Sequence, residues 1–597
     1  MLDNRNLILA VVLSLVVFLG YEVVMSRLYP ASEQAPIEQI AQPNAGADTP
    51  RQRATAKHIR DGGLTDPAEE QEEVRDLQSA LAQPGRVRID APEVAGSINP
   101  VGARVDDIVL KTHRQTVEKD SGPVRIFSPN GTPAQAFAQF GWVDPNNLGV
   151  KVPTPSTMWQ AEGGPLAPGK PVTLTWDNGQ GLLFRIRFTI DQYYMLSVEQ
   201  SVTNRGQAPV AVQPYGFINR TSRTASTDTW NLHSGPIGDF AGSVNFKWDY
   251  DDVDEAGSVA NEQPTGWVGF TDIYWLSTLI PQAGDAAKTY FRALGGESYR
   301  ADLIYDTETV APGASSSTTT QLFAGAKESA VLDMYEDAGV QNFGLSIDWG
   351  WFRWFMKPIF WLLRELYAIA GNFGVAIILL TVVIRGLMFP VAQRQFASMA
   401  QMRAVQPKMK ALQERHKDDK PRLQQEMGKL YKDEGVNPLA GCLPIFLQIP
   451  IFFALYKTLL VAIEMRHKPF VLWIRDLSAP DPLHILNLFG LLPFDPPGFL
   501  SIGVLAVLLG ITMWLQFKLN PSAMDPAQQQ IFMIMPWVLM FVMAPFASGL
   551  LLYWITSNLL TLAQQKYLYS RHPQLKAQVD KDRADKARAA ERDQAKG

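Results

Sequence analysis

One basic side chain stands where the sequence offers it no counter-charge. Arg385 lies within the apolar run GVAIILLTVVIRGLMFP, which contains no Asp or Glu. Inside a membrane an arginine stays protonated, and it costs a few kcal/mol or more unless it meets water, a partner or the interface. The chemistry open to it is electrostatic, an attraction for acidic or polar groups, and involves no bond making. Snorkelling is the competing reading, because Arg385 is only about 8 Å along a helix from Pro390 at the end of the run. Thr381 falls one turn earlier on the same face. Gln448 interrupts a later apolar run, and Tyr553, Trp554, Thr556, Ser557 and Asn558 interrupt the last. Such groups need partners in hydrocarbon, supplied either by a water-filled cavity shared with Arg385 or by ordinary interhelical hydrogen bonds.

Covalent chemistry has little to stand on. Cys442 is the single cysteine, so neither an intramolecular disulfide nor a thiolate metal cluster is possible. The seven histidines show no HExxH or other metal-ligand spacing, and no metal or small-molecule cofactor is expected. An intramembrane hydrolase built on Ser548-Gly549 would need a base, and every histidine lies outside the apolar runs. A transporter is the other alternative, but no pair of similar repeats or matching broken helices is apparent. No catalytic residue is assigned.

The elements that must hold these residues fall into two unlike halves of the 597-residue chain. Leu7 to Met25 is an apolar stretch of membrane-spanning length with a weakly basic start. It reads as a signal anchor over 1–28, against a cleaved signal peptide. Residues 29–82 are rich in Pro, Ala, Gln, Glu and Asp without apolar periodicity and read as a linker. From there to 335 the pattern is β. Phe184, Ile186, Phe188 and Ile190 alternate with Arg185, Arg187, Thr189 and Asp191, and Asn178-Gly179 and Asn204-Arg205-Gly206 supply turns. One large antiparallel sandwich without a catalytic constellation suits that length.

Residues 336–368 form a connector ending in WGWFRWFMKPIFWLLREL, whose aromatic and charged residues suit a helix in the interface plane; its alternative is an extension of the next span. Five further spans fit within 369–568: Ile369–Pro390, Leu439–Ile463, Phe499–Phe517, Ile531–Ala544 and Gly549–Leu568, the last two separated by a turn at Ala544–Gly549. The Ile531–Ala544 span is short for a bilayer, so it either starts earlier or meets a thinned membrane. The intervening 391–437 reads as a helical hairpin. There Met399, Met402 and Met409 lie on a recurring apolar face that either meets varied partners or packs the two helices together. About ten basic residues in 391–437 and about eight in the tail 569–597, against about three between Met465 and Pro497, put hairpin, tail and N-terminus in the cytoplasm. The chain is thus expected to be a six-span α-helical inner-membrane protein with a large periplasmic all-β domain.

The segments VIRGLMFPVAQRQFASMAQM, EGVNPLAGCLPIFLQIPIFFALYKTL, FVLWIRDLSAPDP and ASGLLLYWITSNLLTLAQQ, in this order, closely resemble the YidC/Oxa/Alb insertase family. The resemblance covers about 200 residues of the C-terminal half and, by length and pattern, extends to the β half around GWVGFTDIYWLSTLIP. It implies a five-span core, a periplasmic β-supersandwich shaped like sugar-mutarotase folds, and a groove holding Arg385, with Gln448 lining it and Trp554 at its edge. Thr381, Tyr553 and Ser557 complete the expected groove. The implied task is non-enzymatic: inserting and helping to fold membrane proteins, alone or with the Sec translocon. Nascent membrane proteins, lipids and, through the basic loop and tail, the ribosome are the expected partners. The segment Leu486–Pro497 departs from the pattern by its length, which leaves the start of the fourth span open.

Overall fold

A computed structural model describes residues 76–571 apart from 119, 147–148, 227–231, 351, 417–418, 436–442, 490, 493, 495–500 and 520–525. The first apolar stretch, most of the linker and the basic tail lie outside the described residues.

The β pattern folds as two antiparallel sheets. Ten strands between Val87 and Val310 make one, and nine between Gln160 and Ala326 make the other. Alternation decides which side chains go inside. Along the strand Leu182–Ile190, Phe184, Ile186 and Phe188 are buried while Arg185 and Arg187 stay exposed. This strand pairs with Met195–Asn204 in the register Phe184↔Val202 and Phe188↔Val198. Its inner face meets the other sheet, where Trp142 lies 5.0 Å from Phe184 and Phe140 lies 6.5 Å from Phe188, centroid to centroid. The expected turn forms at Gly179, whose φ of +71° needs glycine, and the Asn178 side-chain oxygen accepts from Leu182 N at 2.9 Å. The all-β sandwich expectation is met.

The helical half opens with α1 (Ser329–Asp337), α2 (Arg353–Ala370) and α3 (Phe373–Leu387). α2 is a helix in its own right. Gly371 takes the left-handed conformation that ends it, and Asn372 starts α3 by accepting from Val375 N at 3.1 Å. The alternative that this segment merely extends the next span is therefore set aside. α2 buries Met356, Phe360 and Leu363 and leaves Trp354 and Trp361 exposed. α4 (Phe389–Arg415) and α5 (Lys420–Asp433) form the hairpin, with Asp419 accepting from Arg422 N at 3.1 Å as the N-cap of α5. α6 (Leu443–Val461), α7 (Val504–Leu519), α8 (Pro526–Met543) and α9 (Ser548–Arg571) complete the chain, and α9 packs on α3 and α7.

Among the described residues no helix is long and apolar enough to cross a membrane. Two of the helices are short: α3 has 15 residues and α7 has 16, or about 22–24 Å of rise against a hydrocarbon core of about 30 Å. Against the apolar runs, α3, α6 and α7 are shorter, whereas α8 with 18 residues and α9 with 24 are longer. α8 does begin earlier than Ile531, and the fold-back at Ala544–Ala547 separates it from α9.

The two halves meet through polar contacts that the apolar pattern did not signal. Glu464, just past α6, accepts from Ser329 N at 2.8 Å and Ser329 Oγ at 2.7 Å, so it caps the first turn of α1. Arg466 donates to Arg114 O at 2.8 Å and Gln115 O at 2.9 Å, with its guanidinium over the Trp275 ring. Lys457 of α6 reaches Asp348 at 3.0 Å. Beside them Lys327 is buried and donates to Thr271 Oγ1 at 3.1 Å; burial holds its ammonium down to about 7.

Candidate functional site

α3 carries Thr381 and Arg385 one turn apart, and α9 carries Tyr553 and Ser557 with the same spacing. Packing α3 against α9 makes Arg385 and Ser557 neighbours. The guanidinium is half-buried and donates through Nε to Ser557 Oγ at 3.1 Å, and through Nη2 to the same oxygen. From about two turns further along α9, Gln564 donates to the Arg385 carbonyl at 3.4 Å. No carboxylate pairs with Arg385 among the described residues. A full positive charge is thus held by a neutral hydroxyl, which orients it without neutralising it.

α6 closes the other side. Gln448 donates its amide to the Tyr553 hydroxyl, and Phe452, one turn on, packs edge-to-face on Trp554 at 5.1 Å. Tyr553 and Ser557 are buried, while Arg385, Gln448 and Trp554 are partly exposed. The arrangement is a seam of polar groups between three helices, bounded by the Phe452 and Trp554 rings. It can offer hydrogen bonds and one charge to a polar chain passing through an apolar environment.

Five of the six expected groove residues come together here. Thr381 does not join them. It is fully buried, and its hydroxyl donates to the Ile377 carbonyl at 2.6 Å, the usual escape for a threonine one turn ahead in the same helix. Its place on the Arg385 face is correct by periodicity, but rotamer and burial turn it onto its own backbone. Asn558 is likewise occupied elsewhere, donating to Thr512 of α7 at 3.1 Å. Gln564 and Phe452 went unnoticed in the sequence. The spacing Ser557, Thr561, Gln564 along one helix face was the available signal for the first.

In the hairpin, Met409 packs with Val405 against Met427, Leu430 and Tyr431, which favours mutual packing over contact with varied partners at that position. The side chains of Met399 and Met402 lie outside those described. Ser548 is buried, and its hydroxyl has no hydrogen-bond partner among the described residues. Among the described residues no group of three or more His, Cys, Asp and Glu could hold a metal.

Residues 86–362 match the family described as YidC periplasmic domain, and residues 365–576 the family described as 60Kd inner membrane protein. A membrane protein insertase YidC from Zymomonas mobilis is 44% identical over 594 residues, covering 99% of each chain. The protein of that description from Ruegeria sp. is 46% identical over 83% of this chain and 85% of its own. Its counterpart from Bradyrhizobium diazoefficiens is 40% identical over 96% and 97%.

Proposed function

This chain belongs to the YidC family of membrane protein insertases, and from that premise we propose that Arg385, Gln448, Tyr553, Trp554 and Ser557 receive the polar flank of an incoming membrane protein. The family's activity is insertion into the inner membrane and is not enzymatic. Carrying a hydrophilic flank across an apolar slab costs about 2.5–3.5 kcal/mol for each charged residue at the centre. A seam that already holds one positive charge and several hydrogen-bonding groups shortens that slab and attracts acidic flanks. The observation that carries this reading is the Arg385 guanidinium, held by Ser557 and matched by no described carboxylate.

In this reading six spans cross the membrane, α2 lies in the interface, and the hairpin and tail face the cytoplasm. Support comes from the six apolar runs, the basic excess in 391–437 and 569–597, and the exposed Trp354 and Trp361 on α2. Short helices such as α3 fit a bilayer thinned around the seam, which would lower the same barrier again. The hairpin and tail are the contacts proposed for the ribosome, and the Sec translocon is proposed as a partner for larger substrates.

Photo-crosslinkers placed singly at positions 385 and 448 test the seam against a ribosome-bound nascent membrane protein. Adducts with the flank and first apolar segment are expected at both positions. Crosslinking only from lipid-facing positions such as Val382 would overturn the assignment.

A further inference from the structure

Between α6 and α7 the chain builds a connector with a protein-like base and an apolar tip. At the base, Asp481 accepts from Trp473 Nε1 at 2.9 Å, Leu483 N at 3.0 Å and Leu505 N at 2.8 Å. The backbone of α9 locks onto it as well, with Ser548 N donating to Ala479 O at 2.8 Å and Gly549 N to Leu477 O at 2.9 Å. Leu477 and Ile474 are buried there. The tip is tied down too: Ile485 N donates to Ile502 O at 3.0 Å, Phe489 N to His484 O at 2.9 Å and Leu492 N to Asn487 O at 3.0 Å.

On this anchored frame Leu486, Leu488, Phe489, Leu491, Leu492 and Phe494 are all exposed, Leu491 to 81%. Isolated exposed leucines are ordinary, but six large apolar side chains within nine residues form a patch that asks for a partner. Leu488 and Phe489 also hold φ of +50° and +63°, a region that costs a bulky residue of order 1–2 kcal/mol, yet the conformation keeps both outward.

The chemistry of the patch identifies its occupant. From Leu483 to Phe494 the sequence has no Asp, Glu, Lys or Arg, and the exposed side chains among the described residues there are Ile, Leu and Phe. A protein-binding hot spot would carry Tyr, Trp or Arg anchors with a polar rim. The tip also adjoins the start of α7, through the pairing of His484 with Gly503, and α7 continues the apolar surface with exposed Leu508, Ile511 and Leu515. Arg466, at the other end of the connector, fixes it on the side of the β domain. We propose that Leu486, Leu488, Phe489, Leu491, Leu492 and Phe494 form an anchor whose side chains enter the acyl chains of the periplasmic leaflet at interface depth. The loop's irregular backbone, which hydrocarbon cannot satisfy, sets that shallow limit.

This inference rests on α7 lying in the bilayer. In the full chain carrying Cys442→Ser, three single cysteine variants, Leu491→Cys, Ile511→Cys and, in the β domain, Lys170→Cys, are labelled with an environment-sensitive fluorophore in phosphatidylcholine vesicles. At Leu491 a blue-shifted emission is expected, quenched more by lipids brominated near the glycerol than by those brominated at the chain ends. At Ile511 deeper quenching is expected, and at Lys170 none. Quenching at Ile511 with iodide-accessible emission at Leu491 overturns the anchor alone, and loss of lipid quenching at both overturns the placement of α7. Protection at Leu491 from both iodide and brominated lipid means that protein covers the tip, a second copy of this chain or another partner, and also overturns the anchor.

Discussion

The Arg385 guanidinium and the Ser557 hydroxyl, 172 positions apart in the chain, meet at 3.1 Å between α3 and α9. The contact leaves most of the five guanidinium donors for other acceptors, so the charge is positioned and still available.

Replacing Arg385 by Ala should cut insertion of a strictly dependent substrate by about tenfold or more, the equivalent of about 1.4 kcal/mol of barrier. Arg385→Lys should retain most activity, because a lysine keeps the charge without the fork geometry. Protease protection of the substrate's flank in proteoliposomes measures both. Full activity of the alanine variant would remove the electrostatic role.

Tyr553→Phe should lower thermal stability in detergent by about 1–2 kcal/mol, since it strands the Gln448 amide that donates to the Tyr553 hydroxyl. Adding Gln448→Leu should recover much of that loss. A double-mutant cycle read by thermal unfolding checks the coupling, and strictly additive losses would argue that the two side chains do not depend on each other.

Lys327 should make stability rise with pH. Its folded-state value, held down to about 7 by burial, lies below that of the unfolded chain. The unfolded chain therefore binds the extra proton between the two values, and the slope approaches about 1.4 kcal/mol per pH unit at most. Below that window both states are protonated and the destabilisation is fully present; it fades as pH climbs towards the ordinary lysine value. Comparing melting profiles of the wild type and Lys327→Met from pH 6 to 10 should show the methionine variant relatively more stable at the acid end. Parallel profiles would refute the assignment.

Glu464→Ala should loosen the start of α1, because Glu464 supplies a side-chain cap that Glu328, at the N-cap position, does not. A loss of about 1 kcal/mol is expected, as for other helix caps. Hydrogen exchange should quicken at Ser329 to Val331 while the sheets stay unchanged. Unaltered exchange at those amides would show that the cap is dispensable.

The sequence by itself determined the division of the chain, because the periods of two and of three to four residues are local properties. Phe184, Ile186 and Phe188 had to share one face of a strand, and Asn178-Gly179 had to turn. It also marked Arg385, Gln448, Tyr553, Trp554 and Ser557 as polar groups in apolar runs, since the cost of burying them is intrinsic to each. The choice between snorkelling and a shared seam depended on which helices lie side by side, and only the tertiary structure decides that. Packing α3 on α9 turned Arg385 towards Ser557, while the same helix sent Thr381 back to its own Ile377 carbonyl. Helix ends, too, were set by contacts outside the apolar pattern: α7 starts where Asp481 from the preceding connector caps Leu505, and α1 starts where Glu464 reaches Ser329. Such contacts join residues 24 and 135 positions apart, and no local periodicity encodes a partner at that distance.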